Sequence, residues 1–290
     1  MDTKKIETIV SPVETHWVGD GFRVHNFIPG PENMPLAEMD PFILLDYNSP
    51  LEVKASNTVH GVGAHPHRGF ETVTLDYQGG VEHHDSAGSH GVIHPGDVQW
   101  MTAAGGVLHK EYYEKAWARK GGTFQMVQLW VNLPAENKMD KPSYQSITHD
   151  QMGVKDLGEG SRVEVIAGEY QGVKGPAKTH TPVSLMNAVL KAGAKATFDF
   201  PKQWNTALLV VKGSVEVNGV AVATDHFLKF GNEGTQFEVT ASEDAVVLVM
   251  SGQPLHEPFA AYGPFVMNTK QQIYQAFDDF KQGKFGELDD

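Results

Sequence analysis

Cysteine is absent from the 290 residues. That removes disulfides, thiolate nucleophiles and sulfur-ligated metal sites together, and leaves His and carboxylate side chains as the available metal ligands. Basic residues are outnumbered, 23 Lys and Arg against 36 Asp and Glu, for a formal net charge of −13. With no basic run in the chain, a direct grip on nucleic acid or on an anionic membrane is not expected. Long hydrophobic runs are missing too: no stretch approaches the ~20 apolar residues of a membrane span. The opening MDTKKIETIVSPVETHW contains no apolar h-region, so no signal peptide is expected. The expectation is a cytoplasmic protein, monomeric, in a reducing compartment.

What the chain does have is strand signal. TVTLDY, DVQWM, FQMVQLWVNL, SLMNAVL, TALLVV, SVEV and AVVLVM are β-branched or aromatic runs separated by Gly, Pro, Asn and Asp. Short strands at frequent intervals point to a sandwich or barrel. LDYQGGVEH (75–83) and LVVKGSVEV (209–217) echo each other, an apolar strand and a Gly turn followed by Val-Glu, which suggests two related β units. The polar stretch 136–150, with Pro142, is the natural boundary. The expected fold is all-β: two jelly-roll, cupin-like barrels in tandem, residues 1–140 and 141–290. Near the end, Thr269 and Gln272 make a capping box, and Ile273, Phe277 and Phe280 share a helical face beside Tyr274, so a terminal helix over about 269–283 is expected, ended by Gly283 or Gly286.

Eight of the fourteen histidines fall between His60 and His109, far more than an even scatter would place there. Two pairs within them have ligand spacing. In HPHRGFE, His65 and His67 sit at i, i+2, and on a strand the side-chain period of 2 puts both on one face. In LHKEY, His109 and Glu111 do the same, with Lys110 pointing away. Two such pairs on facing strands supply three imidazoles and a carboxylate, a set that suits a divalent first-row metal and leaves positions open on an ion that prefers six ligands. His83, His84, His90 and His94 read as loop or strand-surface residues, and Trp100 and Trp130 as core aromatics. The second half has no HxH or HxE, and His180, His226 and His256 are isolated, so its barrel is expected to lack metal ligands.

HPHRGFETVTLDYQGG, then PGDVQWMTAAGGVLHKE, QLWVNLP (128–134) and GPFVMNT (263–269) resemble, in the same order, the motifs of the pirin family of bicupins. The resemblance implies one mononuclear metal in the N-terminal domain, held by His65, His67, His109 and Glu111. Fe(II) is the first expectation, with Zn, Ni, Cu, Mn or Co as alternatives. Many cupins also use a Glu shortly after HxH, which makes Glu71 a lesser candidate. One departure stands out: the family usually has Arg-Gly before the second motif's histidine, where this chain has Ala104, Gly105 and Gly106.

Some pirins cleave the flavonol quercetin with dioxygen. The resemblance therefore implies a small, chelating aromatic substrate and O2, with Glu111 as the catalytic base for the substrate's 3-hydroxyl. The alternative it implies is a second class of role, a metal-dependent regulatory module whose oxidation state sets its affinity for a protein partner. A third, a non-redox cupin such as an isomerase or a small-molecule binder, needs no O2 and tolerates zinc.

Overall fold

Runs such as FETVTLDYQ and GTFQMVQLWVN carry β-branched or aromatic residues at most positions, and each forms one uninterrupted strand, Phe70–Gln78 and Gly122–Asn132. The structure, a computed structural model, describes residues 2–30 and 37–288. Its strands pair antiparallel and gather into two compact units. Each unit closes a seven-stranded sheet against a four-stranded one, the double-sheet barrel expected for both halves. No helix among the described residues is long and apolar enough to cross a membrane.

In the histidine-rich unit the large sheet runs, in spatial order, through Ser143–Ile147, Val98–Thr102, Phe70–Gln78, Gly122–Asn132, Phe42–Val53, Phe22–Ile28 and His16–Val18. Its small sheet runs through Gly61–His67, Val107–Tyr113, Val81–Asp85 and His90–Ile93. The other unit repeats the plan, and its interior is filled by a continuous apolar cluster that includes Val163, Phe198, Leu208, Phe237 and Val247. The echoed segments occupy matching places. In each, the chain leaves the large sheet, turns at a glycine with positive φ (Gly79 at 122°, Gly213 at 71°) and enters the small sheet. A side chain at either glycine would drive a Cβ to 2.5 Å from a neighbour, the Phe124 ring or the Asp244 carbonyl.

The division of the chain differs from a simple tandem at residue 140. One unit comprises Glu14–Glu38, Phe42–His149 and Leu255–Asp290, and the other Met1–Val13, Met39–Pro41 and Asp150–Pro254. The N-terminal strand Ile6–Val10 pairs with Phe227–Phe230, because that edge of the second unit's sheet offers an unpaired ladder. The strand Ser143–Ile147, just past the expected boundary, pairs instead with Val98–Thr102 of the histidine-rich unit.

The terminal helix forms where expected, Lys270–Lys281, with the Thr269–Gln272 capping box made in both directions and Gly283 at positive φ just beyond it. It belongs to the histidine-rich unit rather than to the second barrel. Its buried stripe is Ile273, Ala276 and Asp279, while Tyr274 and Phe280 face outward. Asp279 is buried because it accepts a 2.8 Å bond from Arg68, the residue that follows HPH. Hydrogen bonds from Lys284 and then Arg68 hold the Asp279 carboxyl well below the usual carboxylate range.

Asp76 is a second buried acid of this unit. Burial, followed by the nearby Asp97 charge, pushes its carboxyl up to about 7. An unfolded Asp ionises near 3.8, so between the two values the folded state binds more protons and stability falls as pH rises. Asp76→Asn should therefore gain melting temperature over wild type progressively from about pH 4 to about pH 7 and keep a constant margin above that. Thermal unfolding across this range measures the margin. A pH-independent margin would contradict the assignment.

Candidate metal centre

The strand Val107–Tyr113 alternates buried and half-buried residues along its whole length, so His109 and Glu111 point into the barrel and Lys110 out of it. Its antiparallel neighbour on one side is Gly61–His67, where His109 lies directly opposite His65. On the other side is Val81–Asp85, where Glu111 lies opposite His83. The imidazoles of His65, His67 and His109 come together with ring centroids 4.3 to 4.8 Å apart. One ligand atom from each of these three lies within 4.8 Å of the others, and the same holds for His83, His109 and Glu111. His109 belongs to both groups.

Burial decides the protonation of this cluster. Desolvation, with repulsion from neighbouring imidazoles second, lowers the pKa of His109 and His67 well below the usual histidine value, and burial lowers His65 as well. Neutral imidazole is the metal-ligating form. Two other rings have partners: His65 Nδ1 meets the Gly63 carbonyl at 2.8 Å, and His67 Nδ1 approaches the Pro264 carbonyl at 3.4 Å. Neither ring nitrogen of His109 has a hydrogen-bond partner among the described residues, although the residue is only 1% exposed. A buried polar atom left unpaired costs about 1–3 kcal/mol. A cation at the meeting point of the three rings satisfies it, so the residues fit a divalent metal.

The carboxylate of Glu111 is held by a polar row on the opposite sheet. Thr74 Oγ1 donates to Oε1 at 3.0 Å, Gln99 Nε2 donates to the same oxygen, and Gln128 Nε2 donates to Oε2 at 2.9 Å. Thr74 pairs across the sheet with Gln99 on one side and Gln128 on the other, so the three donors stand in line. The Tyr144 hydroxyl donates to Gln99 Oε1 at 3.1 Å and fixes which end of that amide faces Glu111. A carboxylate offers about four lone-pair sites. Three donors leave one, enough for a metal ion or an incoming proton but not for both together.

His83 and the polar row were not legible as site residues. His83, read as a surface histidine, is 1% exposed, stacks on Tyr144 at 4.8 Å and meets Asp85 Oδ2 through Nε2 at 3.0 Å. It is His83 with Asp85, not His84, that faces the centre. The available signal was polar residues at alternating positions inside otherwise apolar strands: Thr72 and Thr74, Gln99, and Gln128. Trp100 is a fully buried core residue, whereas Trp130 is half-buried, with its ring 5.1 Å from His67 and nearly perpendicular to it.

Glu71 stands apart from both convergent groups among the described residues. The HPH strand does not run on to it: the chain turns at Gly69, with φ of 89°, and Glu71 lies in the strand Phe70–Gln78 of the other sheet. There it accepts a 2.7 Å bond from Thr102, and burial pushes its carboxyl up to about 7.

The turn after HPH is pinned on several sides. Arg68 Nε donates to the Gly105 carbonyl at 2.8 Å, and its guanidinium lies 4.6 Å from the Phe285 ring centroid. The buried Lys138 ammonium donates to the carbonyls of Gly69 and Val266 and to Asn132 Oδ1. Gly106, at φ of 125°, leaves room for Phe285, where a Cβ would lie 2.5 Å from the ring.

Comparison with known proteins gives one answer. The Pirin family model matches residues 21–131, and the Pirin C-terminal cupin domain matches residues 185–286. A Pseudomonas aeruginosa protein named "Putative quercetin 2,3-dioxygenase" is 44% identical over 285 residues, 97% of this chain and 98% of its own. A pirin-like protein of Solanum lycopersicum is 39% identical over 92% of this chain and 88% of its own. The crystal structure of quercetin 2,3-dioxygenase from Acinetobacter baumannii superposes with a TM-score of 0.93 at 45% identity, covering 99% of this chain and 100% of that one.

Residues that orient a metal ligand typically change affinity 10–100-fold when lost. Gln99→Leu, which removes a donor to Glu111 and the partner of Tyr144, should weaken divalent-metal binding by about that factor without unfolding the barrel. Isothermal titration of both proteins against one divalent metal measures it. Equal affinities would show that the polar row does not govern Glu111.

Proposed function

The chain belongs to the pirin family of bicupins, and from that premise we propose that it is a dioxygenase acting on flavonol-type substrates through one Fe(II) held by His65, His67, His109 and Glu111. The observation that supports the reading is the cluster of His65, His67 and His109, with both ring nitrogens of the buried His109 unpartnered among the described residues and Glu111 grouped with that same His109. The names of the Pseudomonas and Acinetobacter relatives support the choice of substrate class.

The protein's own groups divide the work. His65, His67 and His109, neutral through burial, present lone pairs and set the geometry. Glu111, its carboxylate steadied by Thr74, Gln99 and Gln128, accepts the proton of the substrate's 3-hydroxyl through the one lone-pair site they leave open. Ligand and base are then successive roles of one oxygen pair. The Trp130 ring, edge-on to His67 and stacked on Phe70 at 4.2 Å, gives a flat aromatic substrate an apolar neighbour. When bound, the metal supplies positive charge beside the deprotonated oxygen and a redox centre for dioxygen.

The test is anaerobic loading with Fe(II), metal analysis, and then quercetin and O2 consumption. Wild type should bind about one iron per chain at this site and turn over. His109→Ala should lose iron from this site and lose turnover. Glu111→Gln should lower kcat by about 10²-fold or more, the scale of general-base catalysis. Iron bound without flavonol consumption would overturn the activity, and an undiminished iron content in His109→Ala would overturn the site.

A further inference from the structure

The strand Val81–Asp85 has a second face. Period 2 sends His83 and Asp85 inward, and it sends Glu82, which is buried, and His84, which is half-buried, to the opposite face. The hairpin that follows returns His90 directly opposite His84 on that outer face. The turn is fixed by Asp85, whose Oδ1 accepts the backbone N–H groups of Ala87 at 3.0 Å and Ser89 at 2.9 Å. Gly88, at φ of 90°, completes it. The juxtaposition of the three side chains is thus set by backbone geometry.

We propose that Glu82, His84 and His90 form a second metal site, on the outside of the barrel, for a borderline transition ion such as Zn(II) or Ni(II). His84 Nε2 lies 3.0 Å and His90 Nε2 3.4 Å from the same oxygen of Glu82, and the two rings are 4.2 Å apart. Ligands bonded at about 2.0–2.1 Å and spread by about 90–109° around one ion lie about 2.9–3.4 Å from one another. The two nitrogen-to-oxygen spacings fall in that interval, and all three ligand atoms lie within 4.8 Å of one another. Two imidazoles and one carboxylate select a first-row transition ion over Mg(II) or Ca(II), which take oxygen ligands. Three protein ligands leave the remaining positions to water, which the half-exposed His90 admits.

Two lysines share this face. The Lys115 ammonium is 3.7 Å from the same Glu82 oxygen, where it competes with an incoming cation. Lys110, opposite His84 in the sheet, holds its ammonium 5.8 Å from the Tyr112 ring centroid. The site is independent of the inner centre: it shares no residue with His65, His67, His109 or Glu111, and its occupancy does not depend on the proposed activity.

Equilibrium dialysis of the full chain against Zn(II), with metal analysis, tests it in four proteins: wild type, His109→Ala, His90→Ala and the double variant. His109→Ala should keep one zinc, and the double variant should bind it at least about 100-fold more weakly, the upper end of what even an orienting residue contributes. Lys115→Ala in the His109→Ala background should tighten zinc by up to about fivefold, the weight of a surface ion pair. His90 is at the surface, so its loss leaves the fold intact, and the imidazole NMR signals of His84 and His90 should shift on zinc addition in His109→Ala. Equal zinc binding with and without His90, or no zinc in His109→Ala with those signals unmoved, would overturn the proposal.

Discussion

The constraint on which the metal centre depends is the burial of His109 without a hydrogen-bond partner. A polar ring taken out of water must recover its lost hydration from something nearby. Here its neighbours are the imidazoles of His65 and His67, and neither makes a hydrogen bond to it. The arrangement makes chemical sense around a cation. His65 lies opposite His109 on one side, and on the other side lies the strand that brings His83 against Glu111. The small sheet is therefore a frame that gathers His65 and His67 on one side of His109 and His83 and Glu111 on the other.

A frame of that kind needs support from outside itself, and the large sheet supplies it. The line of Gln128, Thr74 and Gln99 crosses three adjacent strands and meets Glu111 from the opposite wall of the barrel. Such a row is costly in an apolar interior unless every member is satisfied. Here the amides and the hydroxyl bond to one another and to the carboxylate, and Tyr144 fixes one amide from the edge strand. The HPH segment is held by a different device. Arg68 reaches Asp279 of the terminal helix, and the buried Lys138 ties Gly69 to Val266, so the C-terminal segment braces the turn that follows His65 and His67. A buried ion pair is weak evidence for net stability, but removing one partner leaves a charge stranded, at about 3–5 kcal/mol. That asymmetry makes the helix part of the site's architecture, although it holds no ligand.

Much was readable before any coordinates. His65, His67, His109 and Glu111 stand at i, i+2 spacings in β-rich surroundings, and their side-chain directions follow from strand period alone. The two-barrel plan, the terminal helix and its capping box were legible for the same reason, since strand alternation, glycine turns and helix caps are local. The same local rule misled at Glu71, which shares the odd-numbered register of His65 and His67 only if the strand continues. Gly69 ends it, and Glu71 moves to another sheet.

Other features had no local signature. The interleaving of the two units is decided by which sheet edges remain unpaired, so Ile6–Val10 joins strands more than two hundred residues away. His83 and His84 are adjacent histidines with opposite fates, one facing the metal centre and one facing solvent. Composition cannot separate them. The sequence by itself determined the ligand types, their spacing and the kind of element that carries them, because these depend on backbone period and side-chain chemistry. Tertiary structure alone decided which faces turn inward and which distant polar residues hold Glu111, because those contacts exist only once two sheets have closed on each other.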